Sequence, residues 1–509
     1  MSRDFLTASL TKNNSLIPLI IVSIILLTST IQAADFQGSL KFRWDEGQEV
    51  DPRISSPFPD NLTDRRYIEG LLTAEVLFKK LPVGKRLRLG LRLLELQPSD
   101  VDGVIYGLEE KRRFDDKIYA QWKYKKWEVW AGDVTETFGK GLALNLFENR
   151  DLYFDSSLRG GKVSYKSKAL RFKAIYGQSR AGYLVEMENV AGANLEYRPR
   201  RNMQFGASLV HQEGLFYQKY FMPEVYAGLD IGPISFFGEY AQRRPDNGDI
   251  PDGEGTYVSL GTSFMGLAAQ VGYKYYQFGA DNPFQTPPIA QREYTTHLLS
   301  QHPHLPLLDD QIGFEIDVSA SPSDMVFLTL NFNRSSKHDG GSLIPSLKED
   351  FNPFWELFLE SEIYPRPDLT LKIAAGQNEE ARSLFWQRKT ATLAEAIYSF
   401  SNLWSVTGDL ESMWVDDKEL GESHNEQWFA LTLSRASWGS VNFSYEQSSL
   451  HSDTEGDNWM GVEIAADVKR NHRLMLFYGR ERGGLKCTSG VCRPVQPFEG
   501  FRLTYDARF

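Results

Sequence analysis

The residue types best suited to chemistry are few in this chain, so their spacing decides what they are for. Its two cysteines, Cys487 and Cys492, sit close together in KCTSGVC. With no further Cys or His partner set nearby, they make a poor metal site and read as a candidate loop disulfide in an oxidising compartment. His297, His302 and His304 lie in the stretch NPFQTPPIAQREYTTHLLSQHPHLP, which prolines 283, 287, 288, 303 and 306 stiffen. Their spacing matches no ligand motif for a metal or haem, so solvent exposure or a partner-docking surface is expected. The acidic run DNGDIPDGEG at 247–256 lacks EF-hand spacing. It reads as a solvated loop, or one that meets surface glycolipids through cations. GKG at 139–141 is too short for a phosphate-binding loop, and neither a GxSxG elbow nor a CxxCH haem motif occurs. These patterns predict a non-enzymatic protein with no cofactor and no metal.

The charges that recur at every second position carry more information. Lys41, Arg43, Arg86, Arg88, Arg92, Lys123, Lys125, Arg171 and Lys173 form a basic set in the first third of the chain. Glu315, Asp317, Glu356, Glu360, Glu362, Asp409 and Glu411 form a later acidic set. Each alternates with apolar neighbours, so one face of an extended strand is charged and the other oily. Two readings follow. Opposed charge across a lumen orients a dipolar solute or biases ion passage. Alternatively, the charges balance one another and hold loops or a plug inside.

The elements that must position such residues are strands. In the last segment, FRLTYDARF, Phe501, Leu503, Tyr505, Ala507 and Phe509 share one face, and Arg502, Thr504, Asp506 and Arg508 the other. FQGSLKFRW, RLRLGLRLLEL, FEIDV, VFLTLNFN and VNFSYE repeat the scheme. A helix would scatter these charges around its circumference. A soluble β-sandwich does not explain continuous alternation over such a length as one core. Short polar connections at 198–202, 321–324, 365–368, 437–440 and 468–472 alternate with long ones near 46–65, 99–116, 135–157, 280–310 and 337–352. That alternation predicts tight periplasmic turns and free extracellular loops. The expectation is an all-β, large transmembrane antiparallel β-barrel of about 24 strands, in a range of roughly 20 to 26, with both termini periplasmic.

One long connection departs from plain alternation. GDVTETFGKGLALNLFENRDLYFDSSLRGG at 132–161 carries Gly139, Gly141, Gly160 and Gly161, which permit tight or unusual backbone geometry. Its Leu142, Leu144, Leu146 and Phe147 are placed to anchor a loop folded back against the wall. Folded inward, such a loop would constrict a pore; the alternative is an ordinary packed extracellular loop.

Export signals fit this picture. Arg3 and Lys12 precede an apolar stretch, Leu16 to Leu27, and small residues follow at Ala33 and Ala34. This predicts a signal peptide at 1–33 and a mature barrel at 34–509. No other long apolar run follows, which excludes a helical membrane protein. The net charge of −11 argues against nucleic acid as a partner. A terminal aromatic at Phe509 is the pattern expected of substrates for the outer-membrane barrel assembly machinery.

GDVTETFGKGLALNLFENRDLYFD, the proline-rich histidine-bearing loop and the ending CTSGVCRPVQPFEGFRLTYDARF together resemble an uncharacterised outer-membrane β-barrel family of Bacteroidota and related bacteria. The resemblance implies export and barrel architecture, but no substrate or catalytic residue. The expected function is a porin-like channel for small hydrophilic solutes or ions in the bacterial outer membrane. The alternative is a structural barrel that anchors or sheathes a cell-surface, secretion or electron-transfer complex. Expected partners are outer-membrane lipid and lipopolysaccharide, the assembly machinery during biogenesis, and a surface or periplasmic protein.

Overall fold

The computed structural model describes residues 34–79, 86–105, 113–179, 188–213, 219–246, 252–279, 284–288, 296–301, 304, 309–382, 385–418, 421–450, 456–488 and 491–509. The expected signal peptide, His302 and residues 247–251 of the acidic loop lie outside the described residues.

Alternation of oily and polar side chains leaves each strand with one face for lipid and one for an interior. Backbone groups in lipid must also be paired, so the sheet closes. The described residues form one 24-stranded antiparallel sheet. Numbering the wall strands alone, the first seven are β1 (Ala34–Val50), β2 (Leu62–Phe78), β3 (Arg86–Gln97), β4 (Arg113–Tyr124), β5 (Trp127–Val134), β6 (Leu158–Lys166) and β7 (Leu170–Ser179). Then follow β8 (Asn189–Arg200), β9 (Met203–Glu213), β10 (Lys219–Ile231), β11 (Ile234–Pro245), β12 (Gly253–Phe264) and β13 (Leu267–Gln277). Next come β14 (Asp310–Ser323), β15 (Val326–Ser336), β16 (Phe354–Arg366), β17 (Leu369–Arg382), β18 (Phe385–Tyr398) and β19 (Trp404–Asp417). The last five are β20 (Glu422–Arg435), β21 (Gly439–Ser448), β22 (Asn458–Lys469), β23 (His472–Glu481) and β24 (Phe498–Arg508).

Each strand pairs with its neighbours in sequence, and β1 pairs with β24 from Ser39↔Arg508 to Glu49↔Phe498. Phe509 finishes this seam. Its N–H donates to the Gly38 carbonyl at 2.9 Å, the Gly38 N–H donates back to its carbonyl at 2.7 Å, and its ring stacks on Phe36 at 5.9 Å. Inside the seam, Arg502 reaches Glu481 at 2.7 Å and Asp45 at 3.3 Å. The fold is a closed 24-stranded antiparallel barrel.

The outer face is oily. Ile118, Leu195, Val225, Leu359, Leu410 and Ile464 stand 46–59% exposed around the wall. A band of this kind is costly against water and suited to hydrocarbon. Aromatic groups gather at the short-turn end. Trp127 lies 4.9 Å from Tyr165, and Phe400 stacks on Trp404, which Arg435 also covers. Tight turns there need positive φ: Met265 (50°) and Gly266 (79°) join β12 to β13, as hairpins of right-handed twist require. Both described chain ends also lie at the short-turn end. Among the described residues, no helix is long and apolar enough to cross a membrane.

Candidate functional site

A 24-stranded barrel encloses a wide lumen, and here long connections fold into it. The connection 135–157, between β5 and β6, lies against the inner wall. Leu142 and Leu144 are fully buried and Leu146 nearly so, in one cluster with Phe138, Leu152 and Phe154. The wall offers matching apolar side chains on strand after strand: Ile175, Val190, Val210, Met222, Ala241 and Tyr276. These inward apolar residues interrupt an otherwise polar lining, and each fully buried leucine contributes roughly 1.5–3 kcal/mol. Phe147 is partly buried and packs on Phe154 at 4.8 Å.

Polar contacts set the loop's height. The N–H groups of Lys140 and Leu142 donate to Glu239 at 2.6 and 3.2 Å, and that of Ala143 donates to Glu224 at 3.2 Å. Gly139 (φ 50°) turns the chain there, and a Cβ on it would lie 2.6 Å from the Glu239 carboxylate. Gly141 also has positive φ (101°), whereas Gly160 and Gly161 belong to strand β6. Gly160 serves close packing of strands, since its Cβ would meet the Tyr176 carbonyl at 2.1 Å. Towards β2–β4, Glu148 meets Arg92 and, at 3.0 Å, Lys117. Arg150 pairs with Glu69 at 2.7 Å, and Tyr153 donates to the Tyr67 hydroxyl at 3.1 Å.

A second connection, between β13 and β14, meets the first. Phe284 joins the same apolar cluster, and its carbonyl accepts from the Asn145 N–H at 2.7 Å. Further along, a one-turn helix α2 (His297–Gln301) buries Leu298 and Leu299 against Phe358, Ala374, Leu393 and Met413 on β16–β19. Glu411 accepts the N–H groups of His297 and Leu298, both at 2.8 Å. The His297 ring stacks on Trp428 and contacts Glu446 at 2.8 Å, and Arg482 ties Glu446 to Glu426 at 3.0 and 2.7 Å. His304 meets Glu380 at 2.8 Å and stacks on Phe354. These two histidines are therefore held apart, each on its own carboxylate and ring. Among the described residues no group of three His, Cys, Asp or Glu is placed to hold a metal ion.

A hairpin, Gly484–Thr488 with Val491–Val495, lies over both insertions, and the Arg493 guanidinium covers the Tyr153 ring at 4.0 Å. Cys487 and Cys492 are opposite one another in its register; Cys492 is disulfide-bonded, and no described cysteine is free. A six-residue helix α1 (Asp100–Ile105) is anchored nearby, where Arg65, which also lies over the Tyr67 and Phe498 rings, meets Asp102 and Asp45 at 3.2 and 3.3 Å and pairs with Glu49.

The charged residues singled out from the sequence fall into three groups. Some clamp the insertions: Arg92 to Glu148, Lys173 to Glu136 at 2.7 Å, and Glu411 to the start of α2. Others are satisfied along the wall. Arg43 forks onto Asp45, Lys123 meets Glu128, Arg171 meets Glu196 and Glu360 meets Lys372. Glu315 and Asp317 both accept from Asn331, Glu356 accepts from Asn333 at 3.1 Å, and the Tyr364 hydroxyl donates to Glu362. Lys41 and Arg86 project exposed, Arg88 stands 3.9 Å from Glu75, and Asp409 is opposite Glu395 in register. Lys125 is a correction. Alternation placed it on the wall, but it occupies an exposed two-residue turn with φ 54°, because the strand ends at Tyr124.

Strand order shows how the sets face one another. In a closed circuit of 24 strands, β4 lies opposite β16 and β7 opposite β19. Lys123 thus belongs to the wall facing Glu360 and Glu362, and Arg171 and Lys173 to the wall facing Asp409 and Glu411. Sequence reasoning missed Arg65, Glu224, Glu239 and Arg482. The two glutamates had one available signal: each interrupts the inward apolar face that receives the loop.

These features define the class, a wide antiparallel barrel with loops packed inside. The chain belongs to the family described as "Family of unknown function (DUF6029)", which matches residues 85–286 and 372–509. Comparison with curated proteins gives no match. Among solved structures, the P pilus usher (PapC) translocation pore matches at TM-score 0.47 and 8% identity, over 93% of this chain and 99% of that one. The copper transporter OprC matches at 0.45 and 9%, over 94% and 80%. The outer membrane protein opdK from Pseudomonas aeruginosa matches at 0.41 and 13%, over 72% and 98%. At these values the likeness extends to no residue and no ligand.

Proposed function

We propose that this protein is a porin-like channel of the bacterial outer membrane for small hydrophilic solutes or ions, narrowed by its own inserted loops. The host is then a diderm bacterium, Bacteroidota by the resemblance noted above. The observation that carries the reading is the charged lumen lining, with Lys123 on β4 across from Glu360 and Glu362 on β16, and Arg171 and Lys173 on β7 across from Asp409 and Glu411 on β19. Field lines across such a lumen sort solutes by charge and dipole. The protein performs no chemistry in this reading and needs no cofactor.

Planar-bilayer recording on the purified barrel tests it. Stable openings are expected, and Arg88→Glu should shift selectivity towards cations while Glu362→Lys shifts it towards anions. Folded, partner-free barrels that never conduct would overturn the channel. A second reading is a structural barrel that anchors or sheathes a surface, secretion or electron-transfer complex. The apolar burial of the 135–157 loop favours it, since a permanently filled lumen has no need to open. Co-purification from native membranes tests that reading.

A further inference from the structure

Below the inserted loop, at the short-turn end, the lumen holds a cavity of about 790 Å³. Its wall cations are Lys123, Lys162, Lys166, Arg171 and Lys173, contributed by β4, β6 and β7. Three more, Lys125, Lys126 and Lys168, come from the turns at its rim. Among the described residues, two acidic ones line it, Glu128 and Glu136. Glu128 is taken by Lys123 at 2.8 Å, and Glu136 is shared between Lys162 at 3.2 Å and Lys173 at 2.7 Å. Arg171 turns to Glu196. Among the described residues, Lys125, Lys126, Lys166 and Lys168 form no ion pair. In a chain whose net charge is −11, so local an excess of positive charge is not a reflection of composition.

We propose that this vestibule binds a multivalent phosphate-bearing anion from the periplasmic side. Like charges held this close repel one another, and an anion carrying several negative groups relieves that repulsion at several lysines together. Lysine acts as a compact, rotatable donor that suits phosphate as a point charge. A planar carboxylate would favour the fork of arginine, and the one arginine here is already paired. Trp127 and Tyr165, which also line the cavity, belong to the interfacial aromatic group, so the site lies level with the membrane surface. The phosphate has two sources there: a soluble polyphosphate-type solute or an anionic phospholipid headgroup.

Calorimetric titration of the full barrel in zwitterionic nanodiscs with inorganic tripolyphosphate tests the site without requiring conduction. Saturable binding of one anion is expected, weakened at least tenfold by the triple change Lys126→Gln, Lys166→Gln and Lys168→Gln. The exposed turn change Arg470→Gln should leave it intact. These lysines are exposed, so the variants keep the fold. Repeating the titration in nanodiscs with anionic phospholipid separates the sources. Loss of tripolyphosphate binding there assigns the site to lipid headgroups, and retention assigns it to soluble anions. No saturable binding, or equal affinity in the triple variant, would overturn the proposal whether or not the barrel conducts.

Discussion

At the residue scale, two glutamates decide where the inserted loop sits. Glu239 accepts two backbone N–H groups from the loop and Glu224 one, in surroundings that exclude water. Glu239→Leu leaves the donors of Lys140 and Leu142 buried without an acceptor, at a cost of roughly 1–3 kcal/mol each. The loop should then undock more often, seen as faster protease cleavage at Lys140 and a higher mean conductance. Acid should loosen the opposite side of the same loop. Burial opposes ionisation of Glu136 and Glu148, but Lys162 and Lys173 for the first, and Arg92 and Lys117 for the second, hold both carboxyls below their ordinary 4.5. A depressed value in the docked state means docking is supported at neutral pH and weakens as pH falls through the depressed values. Proteolysis of the loop should therefore rise below about pH 4, and an unchanged rate there would count against these clamps.

At the element scale, the loop and the wall are separable. Backbone pairing of the strands is complete without 135–157, since β5 and β6 pair directly from Val134↔Leu158 to Trp127↔Tyr165. Replacing 138–146 by a short glycine-serine linker should leave a barrel that still shows a heat-modifiable band on gels, with conductance raised several-fold. An unchanged conductance would place the restriction elsewhere, in α2 or the disulfide hairpin. For that hairpin, Cys487→Ser with Cys492→Ser should leave the barrel's unfolding unaltered and raise protease sensitivity at 484–495 alone. The closed ring is short, so its loss releases little chain entropy.

At the scale of the whole molecule, closure is the condition for everything inside. Phe509 adds the last backbone pair of the seam and packs on Phe36, so its deletion should lower the yield of assembled barrel, measured as the heat-modifiable fraction. Closure also determines which charges confront each other. Facing walls are twelve strands apart in sequence order, a relation that exists only once β24 meets β1.

Strand period, the approximate number of strands and the side on which turns are short were legible in the chain, and 132–161 was legible as a departure from alternation without its direction being fixed. Each rests on local information: apolar side chains at every second residue, breaks where polar residues cluster, and a leucine run where alternation fails. The partners of the charges were not legible. Lys41, Arg86 and Arg88 read alike with Arg92 and Lys173, yet the last two are held by Glu148 and Glu136. Such pairs join residues far apart in the chain or at the mouth of an inserted loop, and no periodicity encodes them. Lys125 shows the same limit in miniature, because alternation does not reveal the residue at which a strand ends. By itself the sequence determined a lipid-facing wall, since hydrocarbon makes the same demand at every strand. Only the tertiary structure decided how the lumen is filled, because that depends on which walls meet across it and which loops reach them.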